Sequence, residues 1–384
     1  MPFIHRVVLV LWTLVIAACT PHQVAPPTAP SATAEPPVAV SYRASTWQQL
    51  PGWPGEQISA SWSAWLQSCT QLRTRAEWKP LCDEAVAIDR GNAAAQRAFF
   101  ERRFAPWRIE TNAGKNTAFV TGYYDVLLKG SRKAHLGSAP IYGVPDDLLA
   151  IDLGGLYPDL KNQRVRGRLQ GKRVVPYWDR RDIDAGKAHL DNKILAWADD
   201  PLDAFFLQVQ GSGRVQLEDG SFLRVGYADQ NGHPYHSIGR WLVDRGEFTL
   251  EQSSMQSIRA WAGAHPDRVT ELLESNPSYV FFKIQPQSAG AQGALGVALT
   301  GGSSIAIDPR FIPLGAPVYL NTTRPDNHAA IQRLVHAQDT GGAIRGPLRA
   351  DLFWGDSREA AELAGVMKQD GELWLLWPVG VVPQ

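Results

Sequence analysis

From Thr117 onward the chain consists of short apolar segments separated by glycine and proline, and this pattern constrains the fold more than any other feature. Segments rich in β-branched and aromatic residues and bounded by turn residues are typical of strands. The clearest are TAFVTGYYDVLLKG, PIYGVP, YVFFKI, SSIAID, APVYL, RLVHAQD and ELWLLWPV. FFLQVQGSGRVQLEDGSFLRVGYADQNG predicts three further strands, separated by a Gly-Ser-Gly bend and an Asp219-Gly220 turn. The predicted fold class is therefore mostly β.

Helical patterns flank or separate these strands. Apolar residues at three- and four-residue spacing between Trp62 and Leu72 predict an amphipathic helix. A second helix is expected after Asn92 as its cap, with Phe99 and Phe100 turned inward. Further helices are predicted in SIGRWLVDRG, with Ser237 as the cap, in SSMQSIRAWAGAHPDRVTELLESNP, and from about residue 357 to 368. These helices are expected to lie at the periphery of the β structure.

The N-terminus is typical of an exported protein. A run of 12 apolar residues, VVLVLWTLVIAA, is too short to span a membrane and matches the core of a signal peptide. The run ends in small residues before Cys19, which resembles a bacterial lipoprotein signal: residues 1–18 would be removed, and Cys19 would carry lipid. Because Thr20 and Pro21 follow, the resemblance implies an outer-membrane anchor facing the periplasm. An ordinary signal peptide with an incidental cysteine is the alternative.

The segment after Cys19 predicts a tether, and the other two cysteines of the chain predict a disulfide bond. Residues 19–40 are rich in proline, alanine and threonine without apolar periodicity, as expected of an extended linker. An exported protein reaches an oxidising compartment. Because Cys69 and Cys82 are the two cysteines left, we expect a disulfide between them. No free thiol is then left to act as a nucleophile.

Composition and motifs exclude several classes of function. Lys plus Arg and Asp plus Glu are 38 each, so no strong field draws the chain to nucleic acid. Nucleophile-elbow, phosphate-loop and dinucleotide motifs are lacking. His336 and Asp339 could share a metal, but neither HExxH nor CxxC accompanies them. We therefore expect no metal and no cofactor.

Three aspartates near strand ends are the candidates for chemistry: Asp308, Asp339 and Asp351. Carboxylates that share a cleft can transfer protons, whereas the alternative is that Asp308 and Asp339 cap turns. Asp351 differs because the apolar run Leu352-Phe353-Trp354 follows it. Removal of water, together with a nearby Asp339, would raise the pKa of Asp351 and let it deliver a proton near neutral pH.

Six motifs together resemble the membrane-bound lytic murein transglycosylase A family. They are FVTGYYDV, QVQGSGRVQLEDG, VGYADQNGHPYHSIGR, NPSYVFFK, SIAIDPRFIPLGAPVYL and QDTGGAIRGPLRADLFWG. The match runs in order from about Trp47 to Pro378, and the C-terminal part resembles that family's three-aspartate domain. The resemblance implies a double-psi β-barrel formed by residues 41–124 and 287–384. A second β domain, residues 125–286, would be inserted in it and form the other wall of a glycan groove.

The resemblance also implies roles for single residues. Asp308, Asp339 and Asp351 fall on the family's three aspartate positions, with Asp351 on the catalytic acid and Asp339 on a supporting acidic position; for Asp308 we expect a structural or supporting role. The implied substrate-binding residues are Thr121, Tyr123 and Tyr124 beside the barrel, and Gln210 and Ser212 in the inserted domain. One departure is Ser303, where the family pattern leads us to expect an arginine.

The implied reaction is cleavage of the β-1,4 bond between N-acetylmuramic acid and N-acetylglucosamine in peptidoglycan, with a 1,6-anhydro product. Asp351 alone would act first as acid and then as base. Three alternatives stay open: a polysaccharide hydrolase in which Asp339 activates water, a peptidoglycan-binding lipoprotein without activity, and a scaffolding lipoprotein. The expected partners are glycan strands and the membrane that holds the Cys19 lipid; the sequence identifies no protein partner.

Overall fold

A computed structural model of the chain describes residues 40–53, 58–157, 160, 165–287 and 290–383. The predicted signal segment 1–18, Cys19 and all but the last residue of the tether lie outside the described residues. Val40 already belongs to the first strand. Within the described ranges, no helix is both long and apolar enough to cross a membrane.

Strands dominate the described chain, in agreement with the predicted class. In chain order they are β1 (Val40–Ala44), β2 (Phe104–Thr111), β3 (Ala118–Tyr123), β4 (Val126–Ser131), β5 (Ala139–Tyr142), β6 (Leu149–Ile151), β7 (Val165–Gln170), β8 (Arg173–Pro176), β9 (Ile194–Ala198), β10 (Ser212–Gln216), β11 (Phe222–Gln230), β12 (Val280–Gln285), β13 (Ser304–Ile307), β14 (Pro317–Thr323), β15 (Ala330–Asp339), β16 (Arg349–Phe353) and β17 (Lys368–Pro378).

Within the described residues, three α-helices precede β2, five lie between β8 and β12, and the last lies between β16 and β17. They are α1 (Ile58–Leu72), α2 (Lys79–Val86), α3 (Ala93–Arg103), α4 (Arg180–Asp184), α5 (Pro201–Gln210), α6 (Ile238–Asp244), α7 (Met255–Ala264), α8 (Val269–Glu274) and α9 (Arg358–Val366). The predicted caps of α3 and α6 are confirmed, because Asn92 and Ser237 accept backbone N–H bonds there. Ser357 caps α9 in the same way.

One sheet unites the two ends of the described chain. Its eight strands follow the order β1-β2-β17-β14-β15-β13-β16-β3. β3 pairs in parallel with β16 and also antiparallel with β17, so the pairings from β17 round to β3 close into a ring. This ring brings β3 beside β16, although more than 200 residues separate them in sequence.

The middle of the chain forms two other sheets. Six strands follow the order β12-β11-β10-β4-β9-β5, and β6, β7 and β8 form a small antiparallel sheet. The chain passes from the first sheet to the second between Tyr123 and Val126, and returns to it at Ser304 after leaving β12.

The helices α1 and α3 cover the eight-stranded sheet through aromatic side chains. Trp62, Trp65, Phe99 and Phe100 are at most 1% exposed, which identifies them as core residues. α3 ends at Arg103, and the chain turns directly into β2, a strand that the sequence pattern did not predict. The expected disulfide joins Cys69 on α1 to Cys82 on α2, with 5.3 Å between their Cα atoms.

The predicted strand FFLQVQ is wrong, because these residues belong to helix α5. Asp200 caps the helix and accepts the N–H of Leu202, Pro201 opens it, and Gly211 ends it with a φ of 81°. Six of its ten residues are buried, and a short apolar run of this kind does not distinguish a buried helix from a strand by pattern alone. The capping residues carried the signal that the apolar pattern lacked.

Candidate active site

Three cross-strand pairs on β3 and β16 form the centre of the site. Because side chains alternate along a strand, residues two apart share a face. The pairs on this face are Phe119 with Arg349, Thr121 with Asp351, and Tyr123 with Phe353. The row is exposed at the Phe119 end and closed at the other, where Tyr123 and Phe353 are 7% and 3% exposed.

Asp351 lies partly buried in the middle of this row. The Thr121 hydroxyl donates to Asp351 Oδ1 at 2.6 Å, and Arg349 Nη2 donates to Thr121 Oγ1 at 2.7 Å. Within the described part of the chain, Asp351 Oδ2 receives no hydrogen bond. Burial raises the pKa of Asp351, while the Arg349 charge and the Thr121 bond act in the opposite direction without cancelling it. Asp351 therefore offers a carboxyl group that holds its proton more tightly than an exposed aspartate.

Asp339 ends β15 and is held by three donors. Its Oδ1 accepts the N–H groups of Ala294 at 2.9 Å and Thr340 at 2.8 Å, and its Oδ2 accepts the Tyr123 hydroxyl at 3.1 Å. Burial raises the pKa of Asp339 to about 6 despite these bonds, and the charge of Asp351 adds to the increase. Burial, together with the charges of Asp339 and Asp351, raises the pKa of Tyr123 well above its usual value. The arrangement fixes Asp339 in place.

Asp308 is buried after β13 and holds the loop that leads to β16. It accepts two guanidinium bonds from Arg310 and the backbone N–H of Gly346 at 2.8 Å. Burial raises the pKa of Asp308, but these bonds outweigh burial and hold the pKa below its usual value. Asp308 thus stays ionised and ties the 340–346 loop to the end of β13.

The other predicted binding residues lie toward the six-stranded sheet. Tyr124 is 8% exposed, and its N–H donates to Gln210 Oε1 at 3.1 Å. Ser212 Oγ donates to Asp125 at 3.4 Å. The structure therefore brings Asp351, Asp339, Thr121 and Tyr123 together, and places Tyr124, Gln210 and Ser212 in a neighbouring group; substrate contact by each remains a prediction.

The surroundings of Ser303 and His336 bear on two further expectations. Ser303 is buried, and Arg333 from β15 donates to the adjacent Gly302 carbonyl at 3.2 Å, so a guanidinium lies near the position where we expected an arginine. His336 faces α1, with Nε2 at 2.9 Å from Ser61 Oγ, and burial lowers its pKa to about 3. Among the described residues no group of His, Cys, Asp and Glu is arranged to hold a metal ion.

Two residues of the site were missed in the sequence. Arg349 precedes Asp351 by two positions, and strand alternation alone would have placed both on one face. Asp125 pairs with Arg224 at 3.0 Å and Arg214 at 3.5 Å, where the chain passes between the two large sheets. No local pattern links Asp125 to Arg224, because the pairing of distant strands brings them together.

A carboxylic acid with a raised pKa and one unoccupied oxygen meets the requirements of a general acid. The site therefore matches the class of enzymes that transfer protons with a carboxyl group. Comparison with known families narrows this class: residues 119–283 match the MltA specific insert domain, and residues 303–377 match the 3D domain.

Relatives with known names agree with both matches. Membrane-bound lytic murein transglycosylase A of Escherichia coli strain K12 is 38% identical over 280 residues, 70% of this chain and 68% of the relative. The monoclinic crystal structure of MltA from Neisseria gonorrhoeae superimposes with a TM-score of 0.76 and 37% identity, covering 91% of this chain and 97% of that one. The crystal structure of Escherichia coli MltA with bound chitohexaose superimposes with a TM-score of 0.65 and 29% identity, covering 88% of this chain and 94% of that one. The chain belongs to the membrane-bound lytic murein transglycosylase A family.

Proposed function

We propose that this chain is a lytic transglycosylase that cleaves the β-1,4 bond between N-acetylmuramic acid and N-acetylglucosamine in peptidoglycan, with Asp351 as its single acid and base. The observation that carries this proposal is the environment of Asp351: a partly buried carboxyl, one oxygen bound to Thr121 and the other available. The bound chitohexaose of the Escherichia coli relative supports a glycan as the ligand.

In the first step, Asp351 donates its proton to the oxygen that links the two sugars. The bond from this oxygen to C1 of the muramic acid breaks, and positive charge develops at C1 and the ring oxygen. Ionised Asp351 stabilises this charge because the carboxylate is partly buried and lies close to the developing positive charge. The raised pKa of Asp351 favours the protonated form that begins the reaction.

In the second step, the same carboxylate acts as base. It removes the proton of the C6 hydroxyl on the muramic acid, and the C6 oxygen bonds to C1 to give the 1,6-anhydro ring. The nucleophile belongs to the substrate, so its tether supplies the proximity that an enzyme otherwise provides for a bound water. Asp351 recovers its proton, and no water is consumed.

A hydrolase would require Asp339 to activate water instead. The geometry of Asp339 speaks against this role, since two backbone N–H groups and the Tyr123 hydroxyl already occupy its oxygens. A carboxylate that accepts three hydrogen bonds has little capacity left to orient a water molecule as a base. We assign Asp339 to positioning Tyr123 and the loop at Ala294.

The finer architecture and location form part of the same proposal. The ring of strand pairings supports a double-psi β-barrel from residues 41–124 and 287–384, with the domain 125–286 inserted and the glycan between them. The membrane-bound relatives support membrane association. We assign the anchor to lipid on Cys19 and its site to the outer membrane, with residues 19–40 as the tether.

The test is mass spectrometry of the soluble products from isolated sacculi, with the chain from residue 41 onward. Wild type is expected to release muropeptides with 1,6-anhydro ends, and Asp351→Asn is expected to release none. Asp267→Asn, at an exposed position in the short 3-10 helix Pro266–Arg268, is the matched control and should behave as wild type. Anhydro products from Asp351→Asn would refute the assignment of the acid. Binding without release by wild type would favour the non-catalytic lipoprotein, and neither binding nor release would favour a scaffold.

A further inference from the structure

Arg349 lies beside the proposed acid without forming a direct ion pair with it. Its Nη2 donates to Thr121 Oγ1 at 2.7 Å and its Nη1 donates to the Ala350 carbonyl at 2.5 Å. Its guanidinium carbon lies 5.1 Å from the centre of the Phe119 ring. These contacts hold the Arg349 side chain along the strand face rather than extended into solvent.

The direction of the bond between Thr121 and Asp351 follows from this contact. A guanidinium has only donors, whereas a hydroxyl has one proton and two lone pairs. Since Thr121 Oγ1 accepts from Arg349, its single proton is available for Asp351 Oδ1 at 2.6 Å. The reverse bond, with the carboxylic proton on Oδ1 and pointing at Thr121, would put a second donor on an oxygen that already accepts from a cation.

We infer that Arg349 is a positioning residue for the reaction: it directs the Thr121 hydroxyl to Asp351 Oδ1, so the transferable proton of Asp351 resides on Oδ2. This inference rests on the proposed function and extends it. Oδ2 is the oxygen that the described residues leave without a bond, and therefore the one that a glycosidic oxygen can approach. A proton on Oδ1 would be held by Thr121 and lost to catalysis.

The charged groups around Asp351 are few enough for the effect of Arg349 to be isolated. From β15, Asp339 is coupled electrostatically to Asp351, and from β3, Tyr123 is coupled to both. From β17, Lys368 pairs in register with Thr121 but donates to the carbonyls of Leu250 and Ser253. β13 presents no titratable side chain, and in the 340–346 loop Arg345 donates to the Gly342 carbonyl.

Arg349 also acts on the acid through its charge. A nearby cation favours ionised Asp351, so loss of that cation raises the pKa of Asp351 further. The value of kcat/KM requires protonated Asp351 and falls as the pH rises through this pKa. Arg349→Met should therefore move the alkaline limb of the kcat/KM profile to higher pH by about 1 unit.

The experiment measures pH profiles of kcat and kcat/KM on soluble, uncross-linked glycan strands. Arg349→Met should lower kcat about tenfold, less than the 10²–10⁴ that a general acid contributes, because the acid remains but its proton then resides mainly on Oδ1, where the Thr121 oxygen can accept it. Arg349→Lys keeps a cationic donor and should restore most of kcat and the position of the limb. Thr121→Ser keeps the hydroxyl and should retain a higher kcat than Thr121→Val, which removes it and should lower kcat about as much as Arg349→Met does.

The double variant separates positioning from structural support. If Arg349 acts through the Thr121 hydroxyl, Arg349→Met should lower kcat no further in the Thr121→Val background. The inference would be overturned if the kcat of the double variant fell by the product of the two single losses. It would also be overturned if Arg349→Met lowered kcat without moving the alkaline limb of its kcat/KM profile. If Arg349→Met does not fold, equal kcat for Thr121→Val and Thr121→Ser would overturn it independently. Absence of anhydro product from wild type would instead refute the proposed function, so the two failures are distinguishable.

Discussion

Replacing Asp339 by asparagine should change how the stability of the protein depends on pH. The pKa of Asp339 is about 6 in the folded chain against 3.8 for an unperturbed aspartate, because burial penalises its charge. Between pH 4 and 6 the folded state therefore binds more protons than the unfolded state, and the free energy of unfolding falls as the pH rises. A shift of about 2 units corresponds to at most about 3 kcal/mol, fully lost above pH 6.

Asparagine cannot ionise, and its carbonyl oxygen can still accept the N–H groups of Ala294 and Thr340. Asp339→Asn should therefore lack this decline, and its free energy of unfolding relative to wild type should rise between pH 4 and 7. Urea unfolding at pH 4, 5, 6 and 7.5 measures the difference. The same variant should keep measurable anhydro-forming activity, because Asp339 positions other groups and does not transfer the proton.

Asp308→Asn is the matched control because the pKa of Asp308 is shifted in the opposite direction to that of Asp339. The bonds from Arg310 and Gly346 lower the pKa of Asp308, so this group stabilises the fold above the unfolded pKa and loses that contribution as the pH falls. Asp308→Asn should therefore destabilise most near neutral pH and least in acid. If the change in the free energy of unfolding relative to wild type varied with pH in the same direction for Asp339→Asn and Asp308→Asn, the electrostatic assignment of both residues would be refuted.

Three other expected outcomes concern stability. Replacing Cys69 and Cys82 by serine should lower the free energy of unfolding by about 3 kcal/mol, measured in urea without reductant, since the disulfide closes a short loop. Gly122→Ala should destabilise by about 1–3 kcal/mol, because its Cβ would lie 2.6 Å from the Trp354 ring. Gly263→Ala, where nothing lies within 4 Å in helix α7, should instead stabilise by up to about 1 kcal/mol, and calorimetric Tm values compare the two glycine variants. A loss of stability in Gly263→Ala equal to that in Gly122→Ala would contradict the packing argument.

The sequence predicted much of the β structure because turn residues and alternation are local signals. Most predicted strands, from YVFFKI to ELWLLWPV, are present, and the caps of α3 and α6 are where the capping residues indicated. The error at α5 has a physical cause: a short, mostly buried apolar segment looks the same in a helix as in a buried strand. Asp200, Pro201 and Gly211 marked its ends and deserved more weight than its apolar content.

The candidate site was predictable in its acids but not in its contacts. Asp339 ends β15 as predicted, whereas Asp351 lies in the middle of β16 and not near a strand end; motif resemblance selected both. Their partners depend on strand pairing: Thr121 reaches Asp351 because β3 pairs with β16, and this register follows from the whole sheet. The role of Arg349 depends on the same pairing, because Arg349 reaches Thr121 only when β3 lies beside β16, and the local sequence does not show this pairing.

The most direct test of the central claim is cleavage of soluble glycan strands in water enriched in ¹⁸O, with mass spectrometry of the newly formed muramic acid ends. Intramolecular attack by the C6 hydroxyl predicts 1,6-anhydro ends without ¹⁸O, released by wild type and absent with Asp351→Asn. Reducing ends that carry one ¹⁸O atom would show that water is the nucleophile, and would contradict a mechanism in which Asp351 serves as the only acid and base.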